Sequence, residues 1–156
     1  MRFELLFLGK TREGYLAAGI EDFRTRLSRY AEVEIKTIKE KRWGAGESET
    51  RIREEETRLL LSQVTSPSLV VALDRTGRQP TSEGLAQLIG QWENQGRRKV
   101  TFIIGGPLGL AESIKTSADL LLSLSAMTFT HEMARLLLLE QLYRSCSIRA
   151  GSQYHK

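Results

Sequence analysis

The chain has 156 residues, of which 40% are hydrophobic and 27% charged, with a net charge of +4. This length is enough to bury a substantial core, and we expect residues 1–156 to form a single domain. No apolar run approaches the roughly 18 residues that a membrane span requires. The modest excess of positive charge permits an acidic partner such as nucleic acid but does not require one.

The N-terminal segment and the cysteine content indicate a cytoplasmic protein. The stretch MRFELLFLGK lacks the long hydrophobic region and small-residue cleavage site of a signal peptide, so we interpret it as a strand. Cys146 is the single cysteine, which excludes an internal disulfide and fits a reducing compartment. We interpret Cys146 as a small buried hydrophobic residue.

Segments typical of strands and of helices alternate along the chain. The predicted strands are 2–9, 33–40, 68–74, 99–105 and 120–125; the predicted helices are 13–30, 49–64, 82–95, 110–117 and 131–145, followed by a tail over 146–156. The alternating residues of 33–40 indicate a strand near an edge, whereas 68–74 and 99–105 have the continuous apolar character of buried parallel strands. The charged segment 49–64 has only a thin apolar stripe, which predicts an exposed helix. The alternation predicts an α/β fold with a mainly parallel sheet.

The glycine-rich turn IIGGPLG (103–109) follows one of the buried strands. Its spacing matches neither the dinucleotide fingerprint G-x-G-x-x-G nor a P-loop. It is therefore either a plain tight turn or a different kind of ligand loop. Two further strand ends, Leu73-Asp74 and 124–129, would lie at the same edge of a parallel sheet, where ligands bind in open α/β folds. This convergence favours the ligand loop.

Other familiar kinds of site find little support. The two histidines, His131 and His155, and the one cysteine have no metal-ligand spacing, and no G-x-S-x-G elbow is present. The last helix carries four consecutive leucines, which indicates burial on several sides, either as a central core helix or against a second subunit. The C-terminal RAGSQYHK is either a frayed end or a segment that stacks on a base and holds phosphate.

Three stretches together resemble one known family. FIIGGPLGL, LSLSAMTFTHEMARLLLLEQLYR and the terminal YHK, with LLFLGK and VVALDRTGRQPTSEGLA before them, are similar to the ribosomal RNA large-subunit methyltransferase H family of the SPOUT superfamily. The resemblance implies a SPOUT-type α/β knot, that is, a mainly parallel sheet flanked by helices with a C-terminal trefoil knot. It also implies a cytoplasmic homodimer that uses S-adenosylmethionine to methylate N3 of a pseudouridine in 23S ribosomal RNA on the assembled ribosome.

The resemblance also assigns roles to particular residues. The cofactor would be held by Leu73, Gly105, Leu124, Ser125, Ala126, Met127, Thr128 and Phe129. The candidate catalytic residues are His131, as base or proton relay, and Tyr154 and His155, which would reach the partner subunit's pocket and hold the target base. Arg135 and Arg144 are candidate contacts to RNA phosphate. No metal is implied.

One position departs from the family pattern. Members of the family have Pro before the histidine, where this chain has Thr130. A proline at this position would fix the bend into the last helix, and a threonine can cap the same helix instead. We therefore expect the site to persist with a less rigid loop. Two alternatives remain open: a SPOUT methyltransferase acting on another RNA such as transfer RNA, and a non-catalytic ribosome-binding protein.

Overall fold

The structure, a computed structural model, describes residues 1–152 and 154. Within these residues, strands and helices alternate as the sequence predicts. The strands are β1 (Arg2–Leu8), β2 (Glu32–Ile38), β3 (Leu69–Arg78), β4 (Lys99–Ile104) and β5 (Leu120–Leu122). The helices are α1 (Gly14–Leu27), α2 (Glu49–Ser62), α3 (Ser82–Asn94), α4 (Ile114–Ser117) and α5 (His131–Arg149).

The five strands form one parallel sheet with the order β2-β1-β4-β3-β5. This confirms the predicted α/β class and the edge position of β2. Strands β4, β3 and β5 are neighbours, so their carboxyl ends lie side by side at one edge of the sheet. That edge carries the glycine turn and the other two strand ends singled out in the sequence.

Both faces of the sheet are covered, which explains why its central strands are apolar on both sides. On β1, Phe3, Leu5 and Phe7 face a core shared with α1, α3 and α5. The alternate residues Leu6 and Leu8 face a second core, shared with α2 and α4. Because side chains of a strand point alternately to the two faces, one strand contributes to both cores.

Helix α5 is a core helix within its own chain. It packs between α1 and α3, and Leu138, Leu139 and Leu142 have no exposed surface. Cys146 is buried as expected, and burial raises the pKa of its thiol to about 11. The helix continues through Arg149, so the predicted start of the tail at residue 146 is wrong. Among the described residues, no helix is long and apolar enough to cross a membrane.

The second half of β3 crosses close to β5. Both Leu73 and Arg78 pair with Leu122, so β3 extends four residues beyond the predicted 74. Between them, a Cβ on Gly77 would lie 2.6 Å from the Leu121 carbonyl carbon, so only glycine fits this crossing without a shift. The sequence also predicted helix 110–117 and strand 120–125 to be longer than the observed α4 and β5. The predicted trefoil knot remains a prediction.

A buried carboxylate on β1 joins this strand to its two neighbours, β2 and β4. Glu4 on β1 has no exposed surface and accepts hydrogen bonds from Lys36 Nζ (2.6 Å) and Thr101 Oγ1 (2.9 Å). Lys99 Nζ lies 3.0 Å from Glu4 Oε2, the oxygen that also accepts from Thr101. Burial raises the pKa of Glu4, but the hydrogen bonds from Lys36, Lys99 and Thr101 outweigh it and hold the pKa below 4.5.

We expect Glu4→Gln to lower the free energy of unfolding by about 2 kcal/mol at pH 7, because it leaves two lysines facing a neutral group. A depressed folded-state pKa stabilises the fold above the unfolded value and loses this contribution as pH falls through the folded value. As the pH falls below 4.5, the free energy of unfolding should therefore decrease less in the variant than in the wild type. Urea unfolding at several pH values measures both effects.

Glu54→Gln, on the exposed side of α2, is the matched control and should change stability by less than about 0.5 kcal/mol. Equal stabilities of the Glu4 and Glu54 variants across the pH range would contradict this account of the buried carboxylate.

Candidate active site

Three loops meet at the carboxyl ends of β4, β3 and β5. They are the glycine turn after Ile104, the part of β3 from Leu73 onward, where β3 no longer pairs with β4, and the loop 123–130 after β5. The order of the strands places these loops side by side, as the sequence predicted. This arrangement brings together the backbone of all the residues predicted to bind the cofactor.

The glycine turn is closed tightly on itself. The Gly109 N–H donates to the Gly106 carbonyl (3.0 Å), and Gly109 has a positive φ of 77°, which favours glycine. A Cβ on Gly105 would lie 2.8 Å from the carbonyl carbon of Gly109 and 3.1 Å from the Leu110 side chain. The turn therefore requires glycine at position 105 because of crowding by backbone.

The loop 123–130 presents unpaired backbone donors. Ser123 Oγ donates to the Ser125 carbonyl (3.0 Å), and Ser125 Oγ accepts from the Met127 N–H (2.9 Å). Within the described residues, no other backbone N–H of Leu124–Phe129 donates to the protein. Met127 and Phe129 are 75% and 39% exposed, unusually so for large apolar side chains. The loop thus offers donors and apolar surface to a ligand.

Helix α2 supports the glycine turn from behind. Thr57 Oγ1 accepts a hydrogen bond from the Ala111 N–H (2.8 Å), and Glu56 Oε2 lies 3.4 Å from where a Cβ on Gly106 would be. Both residues are buried, and burial raises the pKa of Glu56. The prediction of an exposed α2 is therefore wrong for this side of the helix. Glu56 and Thr57 were missed because polar residues do not mark a buried face in a sequence.

His131 begins α5 directly after the loop 123–130. It is half-buried, and burial together with the positive charge of Arg135 lowers its pKa below 6.5. The imidazole is therefore neutral at neutral pH, as a proton acceptor must be. Thr130 caps the helix through its side chain, which accepts from the Met133 N–H (3.2 Å). The expected capping role of this threonine is confirmed.

The RNA-phosphate contact predicted for Arg135 is wrong in this structure. Arg135 has no exposed surface; its guanidinium donates to the Leu8 carbonyl (2.5 Å) and Thr11 Oγ1 (3.0 Å) and lies 4.8 Å from the Phe7 ring. It fastens α5 to the end of β1. Helical periodicity alone did not reveal this, because arginine is rarely buried without a carboxylate partner.

Arg144 lies on α5, and Tyr154 of the predicted tail packs against that helix. Arg144 pairs with Glu140 (2.6 Å) and stacks over the Tyr154 ring (4.9 Å), and Tyr154 packs edge-on against Tyr143 (4.6 Å). Arg144 is therefore already paired within its own helix. His155 lies outside the described residues.

Within a single chain, His131 and Tyr154 lie far apart. Tyr154 contacts Tyr143, which lies twelve residues along α5 from His131, a distance of about 18 Å at the rise of an α-helix. A groove of about 530 Å³ lies elsewhere, between α1 and β2, and none of the predicted site residues lines it. Within residues 1–152 and 154, no group of three or more His, Cys, Asp or Glu residues is placed to hold a metal.

The sequence matches a family described as predicted SPOUT methyltransferase over residues 1–155. Proteins named ribosomal RNA large subunit methyltransferase H are 48% identical in Desulfotalea psychrophila, over the whole of both chains, and 44% identical in Syntrophotalea carbinolica, over 99% of both. One from Halothermothrix orenii is 43% identical over the whole of both chains. The chain belongs to the SPOUT methyltransferases, and within them to the family of ribosomal RNA large subunit methyltransferase H.

Solved structures support the fold. A crystal structure of a probable methyltransferase from Bordetella pertussis Tohama I aligns with a TM-score of 0.56 at 13% identity, covering 93% of this chain and 95% of that one. The structure of TrmJ from Z. mobilis ZM4 aligns with a TM-score of 0.53 at 15% identity, covering 92% of this chain and 69% of that one.

Proposed function

We propose that this SPOUT methyltransferase transfers the methyl group of S-adenosylmethionine to N3 of a pseudouridine in 23S ribosomal RNA, on the assembled ribosome in the cytoplasm. The observation that carries the proposal is the identity of up to 48% over the whole chain with relatives named ribosomal RNA large subunit methyltransferase H. In this proposal residues 1–156 act as one domain, with the last strand and helix forming the knot.

The three loops at the carboxyl edge suit S-adenosylmethionine. Gly105 keeps side chains out of the turn, and the unpaired N–H groups of Leu124–Phe129 offer donors to the acceptor atoms of an adenine. Leu73 and the apolar side chains of Met127 and Phe129 supply nonpolar surface beside them. When bound, the cofactor supplies an electrophilic methyl group, so the reaction needs neither a metal nor a covalent protein nucleophile.

The protein's own residues then align the acceptor and accept its proton. Neutral His131, at the end of the cofactor loop, is the proposed proton acceptor or relay. Tyr154 and His155 are proposed to hold the target base in the site of a second copy, because Tyr154 lies far from His131 in its own chain. Arg144, stacked on Tyr154, is the proposed phosphate contact beside it. The enzyme is accordingly a homodimer.

The test uses S-adenosylmethionine carrying a labelled methyl group. The protein is incubated with assembled ribosomes that lack the modification, and in parallel with naked ribosomal RNA and transfer RNA. We expect label in the large-subunit RNA of assembled ribosomes. Label in transfer RNA alone would move the target to another RNA, and failure to bind S-adenosylmethionine in calorimetry would favour a non-catalytic ribosome-binding protein.

A further inference from the structure

Five exposed cationic residues lie together at the carboxyl ends of β1 and β2. Lys10 and Arg12 follow β1, and Lys39, Lys41 and Arg42 follow β2; we call these five residues the basic edge. The two strands are neighbours in the parallel sheet, so the loops that follow them emerge side by side. The sequence analysis predicted no role for any of these five residues.

The basic edge is fastened to the start of α5. The Glu132 carboxylate, next to His131, accepts hydrogen bonds from the backbone N–H groups of Arg12 and Glu13. The Arg12 side chain in turn reaches Glu40 in the loop after β2 (3.5 Å). Both Arg12 and Glu40 act electrostatically on His131. Through Arg12 and Glu40, these contacts bring the loops after β1 and β2 close to the proposed proton acceptor.

The charges of the basic edge remain largely unneutralised. Among the described residues, Arg12 is the only one of the five in a salt bridge, and its side chain is 80% exposed. The neighbouring carboxylates are already engaged: Glu40 with Arg12, Glu47 with Arg51 (3.2 Å) and Glu132 with backbone N–H groups. Glu13 is the remaining acidic residue of these loops. Lys41 is held over the Trp43 ring at 4.7 Å.

We propose that the basic edge binds phosphate groups of the RNA strand that enters the site at His131. The inference rests on the proposed function and deepens it by naming the surface that holds the RNA. Exposed, unpaired lysine and arginine side chains are the groups that neutralise phosphates.

The test compares two double variants with the same change in net charge. Lys39→Glu with Arg42→Glu reverses two charges of the basic edge and leaves the Lys41–Trp43 contact intact. Arg97→Glu with Arg98→Glu is the control; both arginines are exposed and directly precede β4, at the opposite end of the sheet. Calorimetry with S-adenosylmethionine should give the wild-type Kd for both variants, which shows that both are folded.

Binding to assembled ribosomes that lack the modification is then measured at several salt concentrations, without methyl transfer. We expect the basic-edge variant to bind at least tenfold more weakly and the slope of log K against log salt to be about 1.4 to 1.8 smaller. The KM for ribosomes should rise while kcat changes little. Equal binding by the two variants would overturn the inference. If the wild type methylates no ribosomal RNA, the proposed function fails, and the binding comparison still decides on the basic edge.

Discussion

Gly105→Ala is expected to weaken binding of S-adenosylmethionine about 10- to 100-fold. The added Cβ would lie 2.8 Å from the carbonyl carbon of Gly109 and 2.9 Å from its oxygen, so the turn has to open. Backbone cannot move aside as the end of a side chain can, and overpacking of this kind costs about 1–3 kcal/mol. The turn forms one wall of the proposed cofactor site. When it opens to relieve the strain, that wall is displaced, and S-adenosylmethionine binds more weakly.

Gly106→Ala is the matched control in the same turn. Its added Cβ would lie 3.1 Å from a terminal methyl group of Leu8 and 3.4 Å from a Glu56 oxygen, so it meets side-chain atoms, and a shift of a few tenths of an ångström relieves the contact. Calorimetry should therefore give a Kd within about threefold of the wild type, a difference below 1 kcal/mol. If Gly105→Ala binds S-adenosylmethionine as tightly as Gly106→Ala, the glycine turn does not line the cofactor site.

His131→Ala should lower the single-turnover rate of methyl transfer about 100- to 10,000-fold, the usual contribution of a positioned general base. Its binding of S-adenosylmethionine should stay near the wild-type value, because the predicted cofactor residues precede it in the loop. Thr130 still caps α5 in the variant, so the helix start is retained. Rapid-quench measurements with labelled cofactor and ribosomes give the rate directly.

The pH dependence separates a base from a structural histidine. Burial and the charge of Arg135 lower the pKa of His131 below its ordinary value, so the imidazole is mostly neutral between pH 8 and pH 7 and becomes protonated as the pH falls through the lowered pKa. The contribution of His131 should be constant over this range and fall only at lower pH, as the imidazole becomes protonated. His131→Ala should lack this acidic limb. A variant with a near-normal rate and an unchanged acidic limb would exclude His131 as the base.

The sheet was predictable because its strands are strongly apolar. The runs 68–74 and 99–105 identify β3 and β4, and the alternation in 33–40 correctly identifies β2 as an edge strand. The convergence of three strand ends followed from the rule that parallel strands have their carboxyl ends at one edge. These features depend on local pattern and on general rules of topology.

The end of α5 was not predictable in the same way. Ser145, Cys146 and Ser147 are buried, yet small polar residues leave no helical apolar stripe. The extension of β3 past Asp74 depends on Gly77 fitting against the Leu121 backbone, a contact between segments more than forty residues apart. Such features arise from tertiary packing, which a local pattern does not contain.

The sequence predicted where the loops of the candidate site lie, but it did not predict the surroundings of every side chain. Gly105 and the loop 124–129 lie where the sequence placed them, whereas Arg135 is buried against Phe7. Glu56 and Thr57 support the glycine turn from a helix that the sequence indicated to be exposed. A polar residue in a sequence does not disclose whether it faces water, a ligand or a buried partner.

The most direct test of the account is to identify the nucleoside that becomes methylated. Ribosomes lacking the modification are incubated with the protein and S-adenosylmethionine, the large-subunit RNA is digested to nucleosides, and the products are analysed by mass spectrometry. The account predicts N3-methylpseudouridine in amounts that approach one per ribosome, formed by the wild type and not by Gly105→Ala at limiting cofactor. Methylation of a different nucleoside, or none in ribosomal RNA, would contradict it.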